Sequence, residues 1–393
     1  MRRGITVSLS LLILAAAAGT AQAPSPWLWS PYLGSVGTGF IAISWRTARP
    51  VTVDLSYARI GQGEAVAAWD ETLTFEKQEG VGEVWLQGLI PGATYRYQIT
   101  AYEGAVAYPA PPGTFTLPNE DLPSFTFLVY GETRLLADRH QLVADAMAEG
   151  EPDAAFTLHV GDLVEEPDTA QYTNLFWSIA RLAGSRPYLP VHDDARRAGE
   201  RYYEVFALPL GGGEHDEQWW SFDYGCVHVI GLDSTAGASG EDEVLRRQTA
   251  WLRDDLATAT AAGRIVVVCA AGPLYGACAS ATSQTLRDAW EALFHQYGVG
   301  VVLSGGAGGY EHIYQDGIHF VVTAGGGGPL ESSTCEAAAA TVLRRDNALH
   351  YVRVTVCGRT LRVDAIPVAF VTAGDVVPTP NAEPMDSFIV GGN

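Results

Sequence analysis

Positive charge is scarce in this chain. Its 393 residues carry 24 Lys and Arg against 45 Asp and Glu, a formal net charge of -21. Nucleic-acid backbones and anionic membrane surfaces repel such a surface, so neither is expected as a partner. Basic runs go no further than Arg-Arg pairs. Cysteine is scarce too. The five residues Cys226, Cys269, Cys278, Cys335 and Cys357 are scattered and lack metal-finger spacing, which excludes a disulfide scaffold or zinc finger. Two local pairings are conceivable, Cys269 with Cys278 and Cys335 with Cys357, leaving Cys226 as a buried strand thiol. Long apolar runs are missing beyond the N-terminus. There Arg2-Arg3, the stretch Val7 to Ala18 and Ala21-Gln22-Ala23 supply the charged start, apolar middle and small-residue cleavage site of a signal peptide over residues 1–23. That stretch is short for a spanning helix. The expectation is a secreted protein, extracellular or periplasmic, with no membrane span in the mature chain.

What the sequence does hold is a core. Hydrophobic residues make up 47%, with 10 Trp and 17 Tyr, which excludes a disordered chain. Between residues 26 and 117 short alternating strands are punctuated by Gly and Pro: Phe40 to Trp45, Val51 to Tyr57, Val84 to Leu86, and Tyr95 to Ile99 after the turn at Pro91-Gly92. This pattern reads as a β-sandwich with Trp45 as core indole and Tyr95 placed as a tyrosine corner. Residues 118–123 read as a short linker. From 124 to 370 strands alternate with helices. Phe125 to Tyr130 precedes a helix over Asp138 to Glu149, Ala155 to Val160 precedes one over Gln171 to Ala183, and Tyr188 to Val191 follows. A hairpin turns at Gly225; helices over Glu243 to Ala259 and Ser283 to Tyr297 lead into strands Ile265 to Cys269 and Gly300 to Leu303. Hairpins over Gly317 to Thr323 and Leu349 to Ile366 complete the domain. The fold class is α/β: a sandwich followed by a layered α/β/α domain, with polar residues collected past strand C-termini. Residues 371–393, dotted with Pro, read as a poorly ordered tail.

Several stretches together are distinctive: Gly161-Asp162, Pro190-Val191, Leu232-Asp233-Ser234, Pro273-Leu274-Tyr275 and Leu303-Ser304-Gly305. With them, residues 124 to about 330 resemble the calcineurin-like metallophosphoesterase superfamily, in particular purple acid phosphatase-like proteins. The sandwich resembles the fibronectin type III domain that precedes such catalytic domains. The resemblance implies a two-metal site of Asp and His ligands that activates water and neutralises a phosphoryl group. Neutral imidazoles and ionised carboxylates are needed because each must offer a lone pair at a fixed place.

The residues at those positions depart from the pattern. The first strand ends in Gly131-Glu132 where Gly-Asp is implied, one methylene too long. Asp162 matches the bridging ligand, but the Tyr implied three residues on is Glu165. The Gly-Asn-His motif corresponds to Asp193-Asp194-Ala195-Arg196, so Asp194 stands in for Asn, and Ala195, a methyl group, replaces the acid-base His. The His implied before Pro273 is Ala271, and Gly-His-x-His reads Gly305-Gly306-Ala307-Gly308, with Gly306 and Gly308 for both imidazoles. A dinuclear Fe, Zn or Mn centre is therefore not expected. Glu132, Asp162 and Asp194 leave room for a single Ca²⁺ or Mg²⁺. The alternative is a hydrated acidic pocket whose repulsion is relieved by Arg134, Arg196 or a raised carboxylate pKa.

His192 is the candidate to rescue a lost ligand. His159 and His228 read as core residues, His215 as loop surface, and His312 as a rim residue. Gly325 to Gly328 lacks the Lys-Ser or Lys-Thr of a phosphate loop and reads as a structural turn. No nucleophile elbow or Ser/His/Asp set is legible, and the run Ala337 to Ala340 carries no chemistry. The expected function is that of a secreted pseudoenzyme with a binding or structural role and an extracellular or cell-surface protein partner. The alternatives are a weak metal-dependent phosphoesterase with a carboxylate-only cation site, and a binder of a small ligand in the vacated pocket.

Overall fold

The computed structural model describes all residues except 1–23, 62–67, 194, 238–241, 278–280, 307, 331–339 and 392–393. The signal-peptide stretch, Asp194, Ala307, Cys278, Cys335 and most of the alanine run therefore lie outside the described residues, as do the side chains of residues 195–198.

The chain begins with one curled six-stranded antiparallel sheet: β1 (Trp27–Gly37), β2 (Phe40–Arg59), β3 (Glu71–Gln87), β4 (Thr94–Glu103), β5 (Val106–Pro109) and β6 (Gly113–Thr116). The two strands expected over Phe40 to Trp45 and Val51 to Tyr57 are one strand, β2, with its register broken between Thr47 and Val51. Pro50 sits in that break. It has no N–H to give the ladder, so the strand bends there and serves both halves of the sandwich. Its first half pairs with β1, its second with β4, and β3 follows both. Trp45 lies fully buried against Phe75. The Ile90 amide donates to the Tyr95 hydroxyl at 3.0 Å, tying the loop to β4.

The second part carries β7 (Ser124–Tyr130), α1 (Ala137–Gly150), β8 (Thr157–His159), α2 (Thr169–Ala183), β9 (Tyr188–Pro190) and α3 (Ala195–Val205). Then come β10 (Gly211–Gly212), β11 (Trp219–Tyr224), β12 (Val227–Leu232), α4 (Asp242–Ala261), β13 (Ile265–Ala270), α5 (Ala281–Tyr297) and β14 (Val301–Ser304). The chain closes with β15 (Tyr310–Gln315), β16 (Ile318–Thr323), β17 (Thr341–Arg345), β18 (Ala348–Cys357), β19 (Thr360–Thr372), β20 (Asp375–Pro378) and β21 (Asp386–Gly391). They form two mixed sheets, ordered β20-β19-β18-β7-β8-β9, with β21 also on β19, and β10-β11-β12-β13-β14-β16-β15-β17. Strands β7, β8 and β9 run parallel, as do β12, β13, β14 and β16, because a helix crosses over between most of these neighbours.

Phe127 and Val129 of one sheet share a buried cluster with Val229, Val267, Leu303 and Val321 of the other. The outer face of the second sheet, with Val266, Val268 and Phe320, packs on Leu252 and Leu256 of α4 and Trp290 and Phe294 of α5. On the opposite side, Tyr130 bonds His140 of α1. Among the described residues, no helix is long and apolar enough to cross a membrane.

The sandwich is fused to this layered part. Trp29 stacks on Phe176 at 4.4 Å and its indole N–H donates to Thr173, while Tyr97 donates to the Gly184 carbonyl at 2.6 Å. Tyr32 donates to the Val205 carbonyl, and Leu33 makes a parallel bridge to Pro187.

Two expectations need correction. The stretch from Val371 contains two paired strands, β20 and β21, both on β19; Pro378 ends β20, and Pro380 and Pro384 fall between the two. Cys226 is half-buried in the turn before β12, its thiol 3.3 Å from the Gly358 carbonyl. Among the described cysteines, Cys226, Cys269 and Cys357 are free thiols; Cys278 and Cys335 lie outside the described residues.

Candidate functional site

The C-terminal ends of the parallel strands of both sheets meet. A Cβ placed on Gly161, past β8, would lie 2.6 Å from that of Ala271, past β13. Gly305, past β14, packs against the carbonyls of Val160 and Ala271. Residues from β7, β8, β9, β12, β13 and β14 therefore collect at one edge.

Glu132 follows β7 and is 1% exposed. Its backbone is left-handed, φ 63°, held by its own N–H on the Gly161 carbonyl at 3.1 Å and by the Gly328 N–H on its carbonyl at 2.8 Å. A buried carboxylate needs a counter-charge or donors. Arg134 supplies it: its Nε donates to Glu132 Oε1 at 2.7 Å, a second nitrogen donates to Glu165 at 2.9 Å, and Asp162 Oδ1 lies 3.5 Å from Nε. Burial alone would lower the guanidinium pKa. The bond to Glu132 and the charges of Asp162 and Glu132 outweigh it and push the value well above the usual range. The site thus contains a permanent positive charge.

Asp162, also left-handed at φ 57°, gives its backbone N–H to the Asp193 carboxylate. Asp193 is buried, so the carboxylate that the third motif brings to this network is Asp193; Asp194 lies outside the described residues, as does the side chain of Arg196. His192 turns Nδ1 toward Asp233 Oδ1 at 3.4 Å without a well-aligned hydrogen bond, and stacks on Tyr203. Asp233, fully buried, accepts from Gln218 Nε2, Thr235 N and Thr235 Oγ1. Burial pushes its pKa up, but His192 and Thr235 overcome that and hold it below the usual carboxylate range.

The positions where the resemblance implies imidazoles are closed differently. Ala271 is buried against Gly161. Gly306 and Gly308 have φ of 133° and 89°, a region that side chains rarely adopt, so the backbone at both positions disfavours a histidine. Glu311 beside them accepts from the Ala277 amide and the Thr341 hydroxyl, both at 2.8 Å. Helix α3 starts at Ala195 and breaks its helical geometry at Gly199.

A dinuclear centre needs several imidazole and carboxylate donors around two cations. These residues do not fit it: carbon or hydrogen occupies positions 271, 306 and 308, and a guanidinium sits among the carboxylates. Among the described residues, no group of three or more His, Cys, Asp or Glu side chains is arranged to hold a metal ion.

The other histidines are placed by packing. His159 is buried with Nε2 on Thr133 Oγ1, and His140 and His350 are buried with pKa values lowered by desolvation to about 3 and 4. His215 is exposed beside Glu200. His312, expected at a rim, is buried between Asp386 and His319, because β21 covers it. The glycine run is a tight turn: a Cβ on Gly328 would collide with the Glu132 carboxylate. Glu165 and Asp193 stood in the motifs as replacements or neighbours, and no sequence signal gave them partners.

No family model and no curated protein sequence matches the chain. Solved structures do. A purple acid phosphatase, PPD1, from yellow lupin (Lupinus luteus) seeds aligns over 92% of this chain and 74% of its own, with TM-score 0.69 and 14% identity. PhoD aligns over 93% and 90%, with TM-score 0.67 and 16% identity. GAP50, the anchor in the inner membrane complex of Plasmodium, aligns over 67% and 90%, with TM-score 0.50 and 14% identity. Likeness at such identities speaks to fold alone. The chain has a metallophosphoesterase-like, purple acid phosphatase-like layered α/β fold preceded by a curled β-sandwich.

Proposed function

We propose that this chain is a secreted, non-catalytic protein on a metallophosphoesterase-like fold, with a binding or structural role toward a protein partner outside the cytoplasm. In this reading residues 26–117 are a fibronectin type III-like module, residues 124–370 are the layered domain, and Glu132, Asp162 and Asp194 are remnants of a metal site. The observation that carries the proposal is the ion pairing of Arg134 with Glu132, 2.7 Å apart at the strand ends. A guanidinium there repels the cations that phosphoryl transfer on this fold would use. Ala195 at the acid-base position offers nothing that moves a proton. The net charge of -21 keeps nucleic acid and anionic lipid out of the list of partners. A structural role on a like fold is in keeping with the Plasmodium protein described as an anchor.

The test is hydrolysis of a phosphomonoester and a phosphodiester by the purified mature chain with Mn²⁺, Mg²⁺ or Ca²⁺ added, alongside elemental analysis. Turnover at background and no stoichiometric metal are expected. Metal-dependent turnover abolished by Asp162→Ala would overturn the proposal and establish a weak phosphoesterase.

A further inference from the structure

We propose that Arg134 is the resident cation of the strand-end centre: its guanidinium holds Glu132, Asp162 and Glu165 together in place of a bound metal, and keeps divalent cations out. The inference deepens the non-catalytic reading and rests on it only in taking the centre as metal-free.

The geometry is that of a chelated charge. Two different nitrogens of the guanidinium donate to Glu132 at 2.7 Å and Glu165 at 2.9 Å, and Asp162 approaches to 3.5 Å. The three acids come from two loops, past β7 and past β8, so one side chain cross-links the ends of adjacent parallel strands. Planar donors in a fixed fork suit several carboxylates at once, which a lysine ammonium does less well. The cation is also delivered by its own ligand loop, two residues beyond Glu132. That loop is pinned: the Thr133 amide donates to the Asp162 carbonyl at 3.0 Å, the Leu136 amide to the Arg134 carbonyl at 2.9 Å, and Leu135 is left-handed at φ 70°. The chain doubles back at this point and folds the guanidinium over the acids. Asp193 adds a fourth carboxylate on the Asp162 amide.

Without the guanidinium, the like charges of Glu132, Asp162 and Glu165, which approach it to 2.7, 3.5 and 2.9 Å, would be left unrelieved, and carboxylate oxygens are the donors that hard divalent cations prefer. The experiment compares melting temperature and calorimetric cation binding for the full mature chain and its Arg134→Gln, Arg134→Lys and Arg134→Gln/Glu132→Gln variants, in EDTA and with Ca²⁺ or Mn²⁺. Wild type and Arg134→Lys are expected to be indifferent to cation. Arg134→Gln melts lower in EDTA, recovers with Ca²⁺ or Mn²⁺, and binds the ion at least about tenfold more tightly than wild type, ~1.4 kcal/mol. The double variant loses that response. If Arg134→Gln folds only with cation present, the proposal stands. It is overturned if wild type takes up a stoichiometric divalent ion, or if Arg134→Gln is indifferent to cation or fails to fold with and without it. Turnover by wild type overturns the non-catalytic reading, whereas a cation-indifferent Arg134→Gln overturns this one alone.

Discussion

His228 offers a sharp test of electrostatics in this fold. It lies on β12 with its ring between two carboxylates, Nδ1 2.7 Å from Asp223 Oδ1 and Nε2 2.8 Å from Asp255 Oδ2. Carboxylates on both nitrogens require both to carry protons, so the ring is an imidazolium. Burial alone would depress its pKa; the bonds to Asp223 and Asp255 overcome that and raise it from 6.5 to about 9. A rise of that size corresponds to about 3 kcal/mol, reduced to about 2–3 because the half-exposed Asp223 is screened by solvent. The folded value lies above the unfolded one, so the stabilisation is complete below pH 6.5 and is lost as pH rises through about 9. Urea unfolding of wild type and His228→Gln across this range measures it. The stability gap between the two should shrink by about 2–3 kcal/mol from the acid to the alkaline end. A gap that does not change with pH would refute the imidazolium and the assignment of both carboxylates to it.

Asp386→Asn should loosen β21, since Asp386 accepts from Tyr310 and His312 at 2.8 Å each; we expect a loss of about 1–3 kcal/mol and faster amide exchange over residues 386–391. Burial raises the Asp386 pKa, but His312 and Tyr310 lower it further, so this stabilisation is present above pH 3.8 and fades as pH falls through the depressed value. Gly306→His, which would install an imidazole that the resemblance implies, should cost about 1–3 kcal/mol through the φ of 133° at this position and yield no hydrolysis in the phosphoester assay. Trp29→Ala should cost about 3–5 kcal/mol and leave a single calorimetric transition, because Trp29 stacks on Phe176 across the junction of sandwich and layered domain.

Most of the architecture was legible because its elements are long and periodic. Helices α1, α2, α4 and α5 fall within a few residues of their apolar spacing, and the hairpin at Gly225 pairs Trp220 with Gly231. What was not legible depended on partners distant in sequence. The Asp386–Gly391 strand is too short for its pattern to stand out near Pro380 and Pro384, and it exists by pairing with Thr360–Ala365. Helix α3 is interrupted at Gly199, which hides its period. At the site, Glu132 and Asp162 follow strands in Gly-acid pairs and do stand together. Their contact with Glu165 through Arg134 requires the loop after β7 to double back, which no local spacing encodes. His192 follows the third motif's strand, yet its ring faces Asp233, presented by the opposite sheet.

The acidic residues at the strand ends are engaged within the fold. Asp193 accepts from the Asp162 amide, Asp233 from Gln218 and Thr235, Glu311 from Ala277 and Thr341, and Glu132 from Arg134. These bonds fix the segments at the ends of each sheet: Asp193 on Asp162 and Glu132 on Arg134 in the first, Asp233 on Gln218 and Thr235 and Glu311 on Ala277 and Thr341 in the second. Removing a carboxylate here leaves backbone amides or a guanidinium unpaired in a buried setting, at a cost of about 1–3 kcal/mol per neutral group. Their hydrogen bonds alone therefore give these acids a structural role. An aspartate that accepts from loop amides in this way contributes to the fold whether or not a metal is bound, whereas an imidazole whose sole partner is a metal contributes only when that metal is there.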